Sequence, residues 1–225
     1  MKILNKKISS KKSSAEWMRR QLSDPYVERA KKEGFRARAA YKLAELDDRF
    51  HMLENARVVV DLGAAPGSWA QYAKRTRPNA RVIAMDLLPI KPIEGVEFYQ
   101  GDFTGDAALA WLDSRLAAGG GAQPRKRLCD AVLSDMAPNT TGHQRTDHLR
   151  QTTLLEYAFD FAKNNLRHGG SFVAKSFTGG TTPSLLAEIK KVFQEVHHVK
   201  PAASRKDSVE MFIVALGFRE ANSLK

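Results

Sequence analysis

The chain has 225 residues, 43% of them hydrophobic, and a formal net charge of +11. That length and apolar content suit one α/β domain with a sizeable core, and no apolar run approaches the ~18 residues of a membrane span, which argues against a membrane protein. The single cysteine, Cys129, lies in an apolar run and cannot form an internal disulfide, so a reducing, cytoplasmic setting is expected.

Met1 to Ser14 is rich in lysine and serine, lacks the apolar core of a secretory signal and reads as a basic tail. A short helix follows over Ser14–Arg20. Residues 1–20 are expected to be a flexible extension, and 21–225 a single domain. The charge is lopsided: residues 1–42 hold thirteen Lys/Arg against four acids. A basic arm on a near-neutral domain is the electrostatic footprint of a polyanion partner. Asp24-Pro25 reads as an N-cap acid followed by proline at the first helical position, and Gly34 as the end of that helix. A longer helix is predicted from Arg36 to about Phe50. Leu43, Leu46 and Phe50 fall at i, i+3 and i+7 and should face the core. Lys42 lies one position off that stripe and on periodicity alone reads as a solvated lysine.

The next stretch, Val58-Val59-Val60-Asp61-Leu62-Gly63-Ala64-Ala65-Pro66-Gly67-Ser68-Trp69, gives the order strand, tight turn, helix. Gly63 and Gly67 permit backbone geometry that a Cβ would obstruct, so a ligand can approach the main chain. The loop is not G-x-G-x-x-G, which favours a nucleoside cofactor without a pyrophosphate, with S-adenosylmethionine as the candidate. Strand 81–86 ends in Asp86, placed to bind ribose hydroxyls. A strand at 96–100 precedes Gly101-Asp102, and a helix covers about 105–117. Residues 119–127 (Gly119-Gly120-Gly121 to Arg127) read as an exposed basic excursion. Strand 130–135 leads into Met136-Ala137-Pro138-Asn139. A long helix, about 147–167, is expected to close at Gly169-Gly170. Strand 171–177, a loop to Pro183, a helix ending near Val196, and strands near 196–200 and 209–217 complete the chain.

Alternating strands and helices predict a doubly wound, mostly parallel sheet covered on both faces. The last two strands have no helix between them, so an antiparallel last strand is expected. Asp61, Asp86, Asp102 and Asp135 lie at or near successive strand ends, where ligands of open α/β sheets bind. Lys175 lies inside an apolar strand and Glu210 at the start of another, where a charge is costly unless paired. A structural Lys–Glu pair and a functional pair both remain open on these grounds. No His/Cys cluster with metal-ligand spacing occurs, and no metal is expected.

The pieces Asp24-Pro25-Tyr26-Val27, Arg36-Ala37-Arg38-Ala39-Ala40-Tyr41-Lys42-Leu43, Val60-Asp61-Leu62-Gly63-Ala64-Ala65-Pro66-Gly67, Asp86-Leu87-Leu88-Pro89, Gln100-Gly101-Asp102-Phe103, Ser134-Asp135-Met136-Ala137-Pro138-Asn139, Gly170-Ser171-Phe172-Val173-Ala174-Lys175 and Ser204-Arg205 leading to Glu210 occur in order across nearly the whole chain after residue 20. In these pieces the sequence resembles the FtsJ/RrmJ family of ribose 2′-O-methyltransferases. The resemblance implies a Rossmann-like, S-adenosylmethionine-dependent methyltransferase fold with a seven-stranded sheet. It also implies a Lys-Asp-Lys-Glu catalytic set at Lys42, Asp135, Lys175 and Glu210, with Lys175 as the proton acceptor. The cofactor would be held by Gly63, Gly67, Trp69, Asp86, Asp102 and Asp135. The substrate implied is a ribose, a uridine, in large-subunit ribosomal RNA of the assembled subunit, and the enzyme would be a cytoplasmic monomer. A non-catalytic RNA-binding assembly factor, or the same chemistry on transfer RNA, are the alternatives. Three places depart from the family pattern: Ser68 replaces its glycine, and the loop at 178–183 and the insertion at 119–127 do not match it.

Overall fold

The structure, a computed structural model, describes residues 24–117, 128–179 and 181–219. The expected basic tail, the short helix at 14–20 and the 119–127 excursion lie outside these residues.

Helix α1 spans Pro25–Glu33. The Asp24 side chain accepts from Tyr26 N, proline occupies the first turn, and Gly34 closes the helix at φ 71°. Both caps satisfy backbone groups that a helix end leaves open. Helix α2 spans Ala40–Phe50, four residues shorter at its start than the sequence pattern predicts. Arg36 explains the difference: its amide donates to Gln71 Oε1 (3.0 Å) and its guanidinium to the carbonyls of Pro66, Lys91 and Pro92. That tertiary anchoring holds residues 36–39 in turns. Leu43 and Leu46 are buried as expected.

The rest runs β1 (Val58–Leu62), α3 (Ser68–Thr76), β2 (Arg81–Asp86), β3 (Val96–Gln100), α4 (Asp106–Ala117), β4 (Cys129–Ser134), α5 (Gln144–Asn165), β5 (Leu166–Phe177), α6 (Pro183–Val192), β6 (Phe193–Val199) and β7 (Glu210–Phe218). The sheet has seven strands in the order β3-β2-β1-β4-β5-β7-β6. Strands β3 to β5 are parallel, and β7 runs antiparallel between β5 and β6. The doubly wound sheet with an antiparallel final strand is therefore present.

Two boundaries move. Gly169-Gly170 do not close α5, which ends at Asn165. Instead β5 begins at Leu166 and carries an irregularity: Cys129 pairs with Leu166 but Ala131 with Ser171. The extra residues loop out, Arg167 turns back to Asp130 (3.0 Å), and a Cβ on Gly170 would lie 2.9 Å from Arg167 O. The glycines serve a bulge rather than a helix end. Helix α6 ends at Val192 rather than Val196, because Phe193 packs into the core between Phe172 and Phe218 as the first residue of β6.

Strand side chains alternate between faces, and the two cores follow that alternation. Val60, Leu62, Val132, Phe172, Ala174, Ile213 and Ala215 pack under α4, α5 and α6. Val59, Val82, Ala84, Leu133, Val173, Phe212 and Val214 pack under α2 and α3. Continuing the second set by two residues along each strand leads to Asp61, Asp86, Asp135, Lys175 and, one step back on β7, Glu210. The period of two therefore sends all five charged side chains to the α2/α3 side of the sheet. All but Glu210 sit at the carboxyl end of a parallel strand; Glu210 reaches the same end because β7 runs the other way.

Candidate active site

Helix α2 supplies a sixth element of this end. Its residue Lys42 is not a solvated lysine: Nζ lies 2.8 Å from Glu210 and 5.7 Å over the Phe212 ring, and the two charged side chains are only 11% and 12% exposed. Beside it, Lys175 Nζ lies 2.6 Å from Asp135 Oδ1 and donates to the Asp135 backbone oxygen at 3.0 Å; these side chains are 10% and 18% exposed. The register places Lys175 opposite Phe212 and Phe177 opposite Glu210 on adjacent strands. The Glu210 carboxyl is raised by burial, but the Lys42 cation, with smaller help from Ser204 and Lys175, brings it net below the usual carboxylate range. Two buried lysine–acid pairs thus share one electrostatic site.

A cleft of about 660 Å³ opens next to Asp135. Asp86, Asp102 and Asp135 line it, with Gly63, Leu87, Phe103 and Met136. Asp86 accepts from the amides of Ala65 (2.8 Å) and Leu88 (2.7 Å), which fixes the β1–α3 loop against the end of β2. Asp102 takes both the amide and the hydroxyl of Thr104 on Oδ1, and these bonds hold its carboxyl below the ordinary value. A carboxylate has about four acceptor sites, so each acid keeps capacity for a ligand donor. Gly63, at φ 76°, sits so close to Met136 that a Cβ would lie 2.5 Å from its Cγ. Only glycine lets the loop pass there.

Three expected positions stand differently. Asp61 does not line the cleft. It is fully buried beneath it, and burial, with the Asp135 charge and then the Asp86 charge, outweighs a backbone hydrogen bond from Ala70 and pushes its carboxyl up to about 8. Gly67 caps α3 at φ 98° and packs on Ile93 and Arg36 rather than on the cleft. The Trp69 indole faces the core, donating to Ala39 O (2.8 Å) and packing on Phe212 at 5.5 Å. What Gly67 and Trp69 can offer a ligand is therefore the amide end of α3, next to Ala65 on the cleft wall.

The Asp61 carboxyl makes stability pH-dependent. Unfolded, it loses its proton near 3.8; native, near 8. Between those values the native state binds more protons, so stability falls as pH rises. Asp61→Asn is expected to flatten this slope and raise the melting temperature above pH 7 in the absence of cofactor. Thermal melts of both proteins from pH 5 to 8.5 check it; parallel curves would contradict the assignment.

The FtsJ-like methyltransferase family model matches residues 35–218. The chain belongs to the FtsJ-like methyltransferase family. The ribosomal RNA large subunit methyltransferase E of Novosphingobium aromaticivorans is 53% identical over 207 residues, covering 92% of this chain and 89% of that protein. Its namesake from Zymomonas mobilis is 50% identical, covering 92% and 90%. A crystal structure of a Plasmodium falciparum protein named as a ribosomal RNA methyltransferase superposes with a TM-score of 0.69 at 31% identity, over 82% of this chain and 98% of that one. This chain is accordingly a methyltransferase, and its methyl donor is S-adenosylmethionine. The cleft suits that cofactor: three acids oppose a sulfonium cation, ribose hydroxyls and an adenine amine, all of which need acceptors or negative charge, and the volume lies in the range of small-molecule sites.

One further group of residues has no role assigned from the sequence. Asp24, Arg38, Glu45 and the 200–209 loop form a polar network behind Lys42 and Glu210. In the sequence its members stand out only within the family-like pieces 24–27, 36–43 and 204–205; Lys42 and Glu45, three residues apart on α2, share one helical face, and Arg38 lies in the turn before the helix.

Proposed function

We propose that this protein transfers a methyl group to the 2′-hydroxyl of a uridine in large-subunit ribosomal RNA, acting on the assembled subunit. The observation that carries this reading is the pair of buried ion pairs, Lys42–Glu210 and Lys175–Asp135, beside an acid-lined cleft. S-adenosylmethionine supplies, when bound, an electrophilic methyl on a cationic sulfur. Asp86 holds the cofactor ribose and Asp102 the adenine amine, while Gly63, Gly67 and the backbone at Trp69 form the loop and helix end around the rest. Asp135 adjoins both the cofactor and Lys175 and orients the lysine.

A ribose hydroxyl is a weak nucleophile until its proton is taken. Lys175, an ammonium in its pair with Asp135, first gives its own proton up to solvent; as the free amine it then accepts the hydroxyl proton while the new carbon–oxygen bond forms and the carbon–sulfur bond breaks. Lys42 and Glu210 hold the ribose and balance the charge developing on its oxygen. Alignment of oxygen, methyl and sulfur supplies a further share of the rate.

The basic arm is the phosphate-binding part of this reading. Residues 1–20 carry seven Lys/Arg against one acid. Their deletion is expected to weaken RNA binding and to flatten its salt dependence, since each lost phosphate contact lowers the slope of log K against log salt by about 0.9. An unchanged slope from filter binding at 50–300 mM salt would remove the arm from the interface. The charge and the relatives' names also suit a cytoplasmic protein working on ribosomes, with a monomer as the proposed state; among the described residues no helix is long and apolar enough to cross a membrane.

The test is transfer of labelled methyl from S-adenosylmethionine to large ribosomal subunits from cells lacking this protein, with naked ribosomal RNA and transfer RNA in parallel and nucleoside analysis of the product. Labelled 2′-O-methyluridine in the subunits alone supports the whole proposal. Label in transfer RNA keeps the chemistry and overturns the substrate.

A further inference from the structure

We propose that Glu45 and Arg38 are positioning residues for the reaction: they grip both backbone groups of Ala203 and so fix Glu210, and through it Lys42, in the catalytic arrangement. This rests on the reading of the site given above.

The geometry is a two-sided clamp on one peptide. Ala203 N donates to both Glu45 carboxyl oxygens, at 2.9 and 3.2 Å. Ala203 O accepts from Arg38 Nη2. Arg38 is in turn held by Asp24 through Nη1, and Asp24 has Arg205 3.8 Å away. Tyr26 also donates to Glu45 Oε1, at 3.2 Å, a further bond that fixes the carboxylate. The Ala203 methyl is wholly buried in a small apolar cluster with Ala30 and Tyr41, against Tyr26 and Phe35. The clamp therefore joins α1, the start of α2 and the loop that leads into β7.

This arrangement exceeds what anchoring a surface loop requires. Ser204, the next residue, places a buried hydroxyl beside the Glu210 carboxyl and helps keep it ionised. Glu210 pairs with Lys42, and Lys42 leaves the same helix face as Glu45, three residues earlier. The loop from Pro201 to Val209 has no strand or helix of its own. Its far end is tied at Val209, whose oxygen accepts from Thr178 N (2.7 Å), and at Glu210, whose amide donates to Ser208 Oγ (3.1 Å); the clamp holds the near half, up to Ser204. Charge-assisted bonds such as these, half-buried here, are the stronger class, and a site loosened by a fraction of an ångström loses rate more than binding.

The experiment compares Glu45→Ala, Glu45→Gln, Glu210→Gln and the double variant Glu45→Ala/Glu210→Gln in the full chain. Two readouts are used: methyl transfer to large ribosomal subunits, and a ¹³C-carboxyl NMR titration of Glu210, its signal assigned by loss in Glu210→Gln. Glu45→Ala is expected to lower kcat by about 10–100-fold with KM and cofactor affinity nearly unchanged. Glu45→Gln, which still accepts from Ala203 N–H, should recover most of the rate. In the Glu210→Gln background the same Glu45→Ala change should cost less than about twofold, because residues acting through one group are not additive. The Glu210 titration should move up toward the ordinary carboxylate value in Glu45→Ala. A full multiplicative loss in the double variant, or an unmoved Glu210 titration, overturns the proposal. If the wild-type protein transfers no methyl to subunits, the functional reading fails, and the titration alone decides the clamp. Glu45→Gln, which keeps the hydrogen bond, serves the titration if Glu45→Ala does not fold; its Glu210 midpoint should then stay at the wild-type value while Arg38→Met raises it, and an unmoved value in both overturns the clamp.

Discussion

Lys175→Ala is expected to lower the single-turnover rate of methyl transfer by at least about 1,000-fold, within the range of a lost general base, while cofactor affinity stays within about threefold. The asymmetry follows from where Lys175 sits. It lies on β5 opposite Phe212, and its contacts are with the Asp135 carboxylate and backbone oxygen. The cleft wall formed by Asp86, Asp102, Gly63 and Met136 does not include it. Cofactor binding is read by calorimetry and transfer by rapid quench with labelled S-adenosylmethionine. A variant that keeps a tenth of the rate would remove Lys175 as the base, and one that loses cofactor affinity in step with rate would make it a binding residue.

Lys42→Ala should cost both activity and stability, and in this it differs from Lys175→Ala. The Lys42–Glu210 pair is about nine-tenths buried on each side, and Lys42 is the largest influence holding the Glu210 carboxyl down. Removing one partner of a buried pair leaves the other charge uncompensated, at a cost of about 3 kcal/mol. For a protein of this size that lowers the melting temperature by roughly 6–12 °C. The loss has a direction in pH. With Lys42 present, Glu210 ionises more readily in the native state than in the unfolded chain, so the pair's stabilisation is present above the unfolded carboxylate value and fades as pH falls through the native one. The melting difference between wild type and Lys42→Ala should therefore be full near pH 7 and shrink toward pH 3. Transfer should fall by about 100-fold or more, the scale of a lost electrostatic stabiliser. Melts at pH 3, 5 and 7 with parallel transfer assays test both parts. A Lys42→Ala protein as stable as wild type at pH 7 would show that the pair does not hold the native state together.

The elements that sequence alone determined are those whose cause is local or periodic. The β-branched run Val58–Val60, the caps Asp24 and Gly34, and the turn at Gly63 each act within a few residues. The strand pattern placed Asp61, Asp86, Asp102 and Asp135 at or near successive strand ends, so a cofactor cleft at that edge of the sheet was legible from the sequence. Lys42, by contrast, reads as solvated on the helix period, and only its likeness to a family pattern singled it out. Its burial depends on Phe212 and Glu210, 170 and 168 residues further along the chain. The same holds for Arg36, whose distant carbonyl partners shorten α2, and for Gly169-Gly170, whose bulge is fixed by Asp130 across the sheet. Asp61 looks identical to its three companions in the sequence; its depth beneath the cleft, and hence its raised carboxyl, is set by packing from both neighbouring strands. Local patterns thus place charged residues on an edge and a face. Which charges meet, and how far each lies from water, depends on chain crossings that bring α2, β5 and β7 together, and short-range propensity carries no information about distances across such crossings.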